Sequence, residues 1–285
     1  MARGNDILHI RLSRVFSSKV FRVGLLVSLI IMVICFVQTC LSFWGHDVGE
    51  IPSAAVAWSG NHGSMGTSLY GMYLFFLMFP ISSAAASDCF YMDKARNRSV
   101  CLAQRSGTVR YVVSGAIVSF VAAFVAVLIP LFVSQMLGFL AFPVAAGQDA
   151  FAQGFNTPAS YLGGWGTAYD SMMLSSVFFN DRYLYNLMFC FYDAFWAAAM
   201  ALCSYAVSLY VRKGRVLVLG CPTIVFLLFS ALLPSAVNPG TYVGLSVSWG
   251  VEGSLPFFVL SPLVVATGAV AAIALSLILK RDVLL

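Results

Sequence analysis

Long apolar runs alternate with short polar connections along this chain, and six of the runs are of membrane-crossing length. They extend from about Val23 to Phe43, Thr67 to Ser87, Tyr111 to Phe142, Tyr183 to Tyr210, Val216 to Ser235 and Leu255 to Leu279. Each has the roughly 20 mostly apolar residues needed to cross a hydrocarbon core of about 30 Å. In lipid every backbone polar group has to be satisfied within its own segment, so each run is expected to be a helix. The third run exceeds a perpendicular crossing; it has to tilt, kink or project into water, and Pro130 is the position for a kink.

Ahead of the first run, Asn5 to Phe21 carries Leu8, Leu12, Val15 and Phe16 on one helical side and Arg11, Arg14 and Arg22 on another. Such a segment either lies as an amphipathic helix in the headgroup plane or is simply a basic tail. A cleaved signal peptide is not expected. Twenty-two residues precede the apolar run, and the sequence at its end, QTCLSFWGHD, offers no small-residue cleavage site. The expected fold class is therefore an all-α membrane protein. Six transmembrane helices follow an N-terminal interfacial amphipathic helix, in a single transmembrane domain over residues 1–285.

Charge orients the spans. Fifteen of the 16 Lys and Arg residues fall in four clusters: Arg3 to Arg22, Lys94 to Arg110, Arg212 to Arg215, and Lys280 with Arg281. The connections between them hold Asp47, Glu50, Asp149, Asp170, Asp181 and Glu252, with Arg182 the basic exception. Short loops rich in Lys and Arg stay on the cytoplasmic side. Both termini are thus expected on the cytoplasmic side of the cell membrane and the acidic loops outside. Composition agrees, since 60% hydrophobic and 9% charged residues lie far from the usage of soluble domains.

Candidate chemistry is sparse. Cys35, Cys40, Cys190, Cys203 and Cys221 lie in apolar runs and Cys89 and Cys101 in a basic connection. With no metal-ligand spacing they read as packing residues or reduced thiols. His46 with Asp47 and Glu50 reads as a solvated polar loop rather than a metal site. There is no H-E-x-x-H, no G-x-S-x-G and no carboxylate pair within a run. The string YLGGWGTAYD, Tyr161 to Asp170, lacks the Lys-Ser/Thr of a phosphate loop and reads as turns. No catalytic, cofactor or metal-binding residue is expected, and the chain is not expected to be an enzyme.

One acid stands inside a run. Asp193 is ten residues into the fourth, about 15 Å at 1.5 Å per residue, and so near the bilayer centre. A carboxylate there costs ~3 kcal/mol on insertion scales and has to face the protein interior or a water-filled cavity. Its helical face also carries Asn186, Cys190, Ala197, Ala201, Ser204 and Ser208, a polar and small-residue stripe suited to close helix contact. Asp193 is either a group in a translocation path or proton-linked switch, or an acid making an interhelical hydrogen bond, the commoner use of such faces.

The segment Phe75 to Phe120 resembles the region around the second and third spans of small type-2 ABC exporter permeases. An apolar helix runs into a polar segment with Asp88 and Asp93, and then Arg105, Ser106, Gly107, Arg110 and Tyr111 lead into the next helix. The layout of the whole chain is similar too, with a basic amphipathic start, six spans, a short turn between spans four and five, and an outer excursion, Pro234 to Gly253, before span six. The connection Pro143 to Arg182 is long for that family. The resemblance implies a permease subunit, dimeric with itself or a homologue, driven by separate cytoplasmic ATP-binding subunits. It also implies that Asp88 to Arg110 is the segment that couples to them. The polar segments are too short for an ATPase domain and lack G-x-x-x-x-G-K-S/T, so ATP belongs to a partner chain. For Arg105 and Arg110 the alternative is a topology-setting role alone, and for Gly107 a cap or turn. No nucleic-acid partner is expected. Two other classes stay open: a secondary transporter, although Pro80 and Pro222 are out of register for a repeat, and a non-transporting sensor or assembly protein.

Overall fold

The computed structural model describes residues 4–47, 51–58, 68–95, 98–144, 174, 176–177, 181–211, 214–234, 237–243 and 255–279. Among them every regular element is helical. The order is α1 (Gly4–Phe16), α2 (Lys19–Ser42), α3 (Ala54–Ala57) and α4 (Ser68–Met72), which runs through a π-helical turn (Tyr73–Leu77) into α5 (Met78–Ala95). Then come α6 (Arg98–Ser106), α7 (Thr108–Ala141), α8 (Arg182–Tyr210), α9 (Arg215–Leu232), α10 (Pro239–Tyr242) and α11 (Leu255–Ile278). Six helical stretches are long and apolar enough to cross a membrane: α2, Leu69–Ser87, α7, α8, α9 and α11. Tyr161 to Asp170 and nearly all of 143–182 lie outside the described residues, as do 244–254 of the excursion before the last span.

Local chemistry sets the helix ends. The Ser18 hydroxyl accepts a hydrogen bond from the Phe21 amide at 3.1 Å and starts α2 at Lys19, four residues ahead of the apolar run. Asp181 caps α8 in the same way, from the Leu184 amide at 3.0 Å. Gly107, between α6 and α7, sits at φ 84°, where a side chain is strained, and turns the chain there.

Two runs depart from the simple pattern. The second does not stop at Ser87; its helix continues to Ala95, so Asp88 and Asp93 belong to α5 and not to a connection. No Gly or Pro interrupts that stretch, and Lys94 holds its end by donating to the Ser208 and Leu209 carbonyls, both at 3.3 Å, in the last turn of α8. Upstream, a π turn closed by the Met78 amide on the Tyr73 carbonyl precedes Pro80, which has no amide to donate. The third run is one continuous helix of 34 residues through a buried Pro130. At 1.5 Å per residue it is about 51 Å long and overhangs a ~30 Å core.

Helix α8 is the centre of the bundle and packs on α5, α7, α9 and α11. Ala194, Ala197, Ala198 and Ala201, all buried, let these axes approach closely. The fit is tightest at Gly115 of α7, where the Tyr205 hydroxyl occupies the place of a Cβ and donates to the Val112 carbonyl at 3.0 Å. Toward α9, the Ser204 hydroxyl donates to the Val218 carbonyl at 2.7 Å. The outward faces are apolar, with Val23, Leu26, Leu228 and Val264 each more than half exposed. An apolar exterior of this extent suits a protein solvated by lipid.

Candidate functional site

Helices α1 and α6 and the adjoining ends of α5, α7 and α8 gather at one end of the bundle. Arg11 of α1 is buried there; its Nη1 donates to the Tyr111 carbonyl at 2.6 Å and to Ser114 Oγ at 2.8 Å. Its guanidinium lies 3.7 Å from the Tyr111 ring centroid and 5.1 Å from that of Phe90, so the charge is held by π faces as well as by oxygens. Arg14 forms a two-bond pair with Asp93, Nη1 to Oδ2 at 2.8 Å and Nη2 to Oδ1 at 2.7 Å. This corrects the division of α1 into an apolar side and a charged side. Arg11 shares the buried side with Val15, one turn on, because Tyr111 and Phe90 offer it a partly aromatic, hydrogen-bonding seat. Arg22 does stay exposed, donating to the Ser17 carbonyl at 2.6 Å.

The residues singled out between the second and third spans separate into two groups. Asp93 is 3% exposed and its carboxylate is engaged within the chain, by Arg14. Asp88 lies on α5, with its side chain outside the described part. Arg105, Gly107 and Arg110 are exposed. Helix α6 sits on the bundle through Ser99 and Ala103, one turn apart and both buried, and turns Arg98, Leu102 and Arg105 outward. Val109 and Arg110, at the start of α7 just past the Gly107 joint, are exposed too.

A second polar centre lies inside the bundle. Asp193 is fully buried, within electrostatic range of the hydroxyls of Tyr70, Tyr73 and Tyr192 and the thiol of Cys190. The π turn before Pro80 accompanies this arrangement: Tyr70 and Tyr73 flank its start, and both are buried. The neighbourhood also includes Ser28 of α2, beside Tyr73, and Trp196 and Ser261, beside Tyr192. Asp193 stands out in the sequence, whereas its tyrosines are marked there only by Tyr70 and Tyr73, three residues apart in an apolar run.

Above this centre the short helix α3 is inserted between α7 and α8. Its backbone is satisfied by side chains of those two helices. Asn186 Nδ2 donates to the Ala55 carbonyl at 2.9 Å and to Gln135 Oε1 at 2.6 Å, and Gln135 Nε2 donates to the Ala54 carbonyl at 3.3 Å. Trp58 follows, donating through Nε1 to Ser134 Oγ at 2.6 Å and meeting the Tyr70 ring edge-on at 6.0 Å. A loop can be buried this deeply because each of these polar groups finds a partner. Gln135, a single amide in a long apolar run, was the sequence signal for this receptor.

Among the described residues no group of His, Cys, Asp and Glu is placed to hold a metal ion. Comparison with protein-family models, with curated proteins and with solved structures gives no match. The functional reading therefore rests on the two centres themselves.

Proposed function

We propose that this chain is the membrane-spanning permease subunit of an ATP-driven exporter of the type-2 ABC kind. It pairs with a second copy or a homologue and is driven by a separate cytoplasmic ATPase. The observation that carries the reading is α6: a short helix between two spans, seated by Ser99 and Ala103, with Arg98, Leu102 and Arg105 turned away from the bundle. A basic and partly apolar helix face of this kind suits a protein partner, and the positive charge around it suits the cytoplasmic side. The clamps made by Arg11, Arg14 and Lys94 bind α1, α5, α7 and α8 into one block behind α6. Displacement of α6 by a partner is thereby passed to four helices at once. Affinity purification from the native membrane tests the proposal: an ATP-binding subunit accompanies the chain, which alone hydrolyses no ATP.

The buried Asp193 centre favours a second reading, a secondary transporter, because an intramembrane carboxylate beside an irregular helical turn is a feature of ion-coupled sites. Absence of any ATPase partner, together with transport that follows an ion gradient, would move this reading ahead.

A further inference from the structure

Helices α2 and α5 touch at Gly24, where an added Cβ would come within 3.1 Å of Ile81 Cγ2. That close approach is local. To one side the walls are short or branched side chains, Val23 and Val27 of α2 and Pro80 and Ala84 of α5, and the helices leave an open groove of about 440 Å³. Lys19 stands at its mouth, exposed, as the first residue of α2. Arg22, exposed one turn on, is not part of the groove lining and donates to the Ser17 carbonyl, and Asp93 at the same end is already engaged by Arg14. From Lys19 to Val27 the groove follows α2 for about 12 Å at 1.5 Å per residue.

The order of these features is that of a phospholipid: charge at the mouth, then an apolar channel running toward the middle of the span. We propose that the α2–α5 groove is a binding site for an anionic phospholipid of the surrounding bilayer. Its phosphate meets Lys19 and one acyl chain lies against Gly24, Val27 and Ala84. The negative headgroup is specified by charge complementarity, since the Lys19 ammonium borders the mouth and an additional positive headgroup group, as in phosphatidylcholine, would face it. Lipid docked here would brace α2 against α5 beside the α1 clamp. The proposal stands apart from the identity of any ATPase partner.

The test uses the purified full-length chain in detergent micelles, titrated with phosphatidylglycerol or phosphatidylcholine. Bound lipid is read by native mass spectrometry and stabilisation by thermal unfolding. The wild type is expected to retain phosphatidylglycerol roughly fivefold more tightly, the preference of about one basic contact near the surface. Lys19→Gln, at an exposed position, loses that preference and Lys19→Arg keeps it. Val23→Trp, on the lipid-facing side, fills the groove and lowers retention of both lipids while the protein still unfolds cooperatively. Equal retention of the two lipids by the wild type, or an undiminished preference in Lys19→Gln, overturns the proposal. So does efficient cross-linking between copies through Val27→Cys, which would make the groove a contact between two chains.

Discussion

Arg14 and Asp93, 79 residues apart in the chain, meet side by side through two parallel hydrogen bonds of 2.8 and 2.7 Å. The pair ties the amino-terminal helix to the last turn of α5, immediately before α6. Its acid is almost fully buried while the arginine is 43% exposed, so the two partners are not equivalent. Removing Arg14 leaves a desolvated carboxylate without its guanidinium, whereas removing Asp93 returns a half-exposed guanidinium to water.

Arg14→Ala is accordingly expected to cost about 2 kcal/mol and Asp93→Asn about 1 kcal/mol. The double variant should cost less than their sum. Thermal unfolding of the purified variants in detergent measures this, and strictly additive losses would show that the two residues do not act as a pair.

The spans were legible because one physical rule, backbone satisfaction in lipid, acts on about 20 consecutive residues and leaves a long apolar record. Their limits agree with the helices to within a few residues, and the departures have local causes, Ser18 at α2 and Lys94 at the end of α5. Asp193 was legible as a single acid in an apolar run. The side to which Arg11 points was not, because a cation over Tyr111 and Phe90 depends on three segments distant in sequence. The seating of α3 escaped for the same reason, since the short AAVA of that helix says nothing of Gln135 and Asn186.

Asn186 anchors α3. Asn186→Leu removes the donor to the Ala55 carbonyl and to the buried Gln135 amide oxygen, and a lost buried hydrogen bond of this kind is worth roughly 1–3 kcal/mol. With Ala57→Cys as a reporter at a 4% exposed position, the thiol should be inert in the parent and reactive in the Leu variant. An inert thiol in both would mean that α3 is held without this amide.

Asp193 is expected to act as a packing acid among Tyr70, Tyr73 and Tyr192. Asp193→Asn keeps the shape and hydrogen-bonding capacity of the side chain, so unfolding temperature should move by only a few degrees. The variant should also complement a strain that lacks the gene. A folded variant that fails to complement would assign Asp193 to the transport path.

The proposed orientation has a native reporter, Cys101, exposed on α6. In a variant keeping Cys101 as the sole cysteine, a membrane-impermeant maleimide should label it only after the cells are opened. Labelling of intact cells would invert the topology.

A coupling role for α6 is tested by replacing Lys94 to Gly107 with a Gly/Ser linker that retains three Arg, and purifying the chain from its native membrane. The charge bias survives, so insertion should be unchanged. The wild type should bring down an ATP-binding subunit and its ATP hydrolysis, and the linker variant should insert but lose both. An ATPase that remains bound to the linker variant, with hydrolysis undiminished, would contradict the assignment of α6 as the coupling helix.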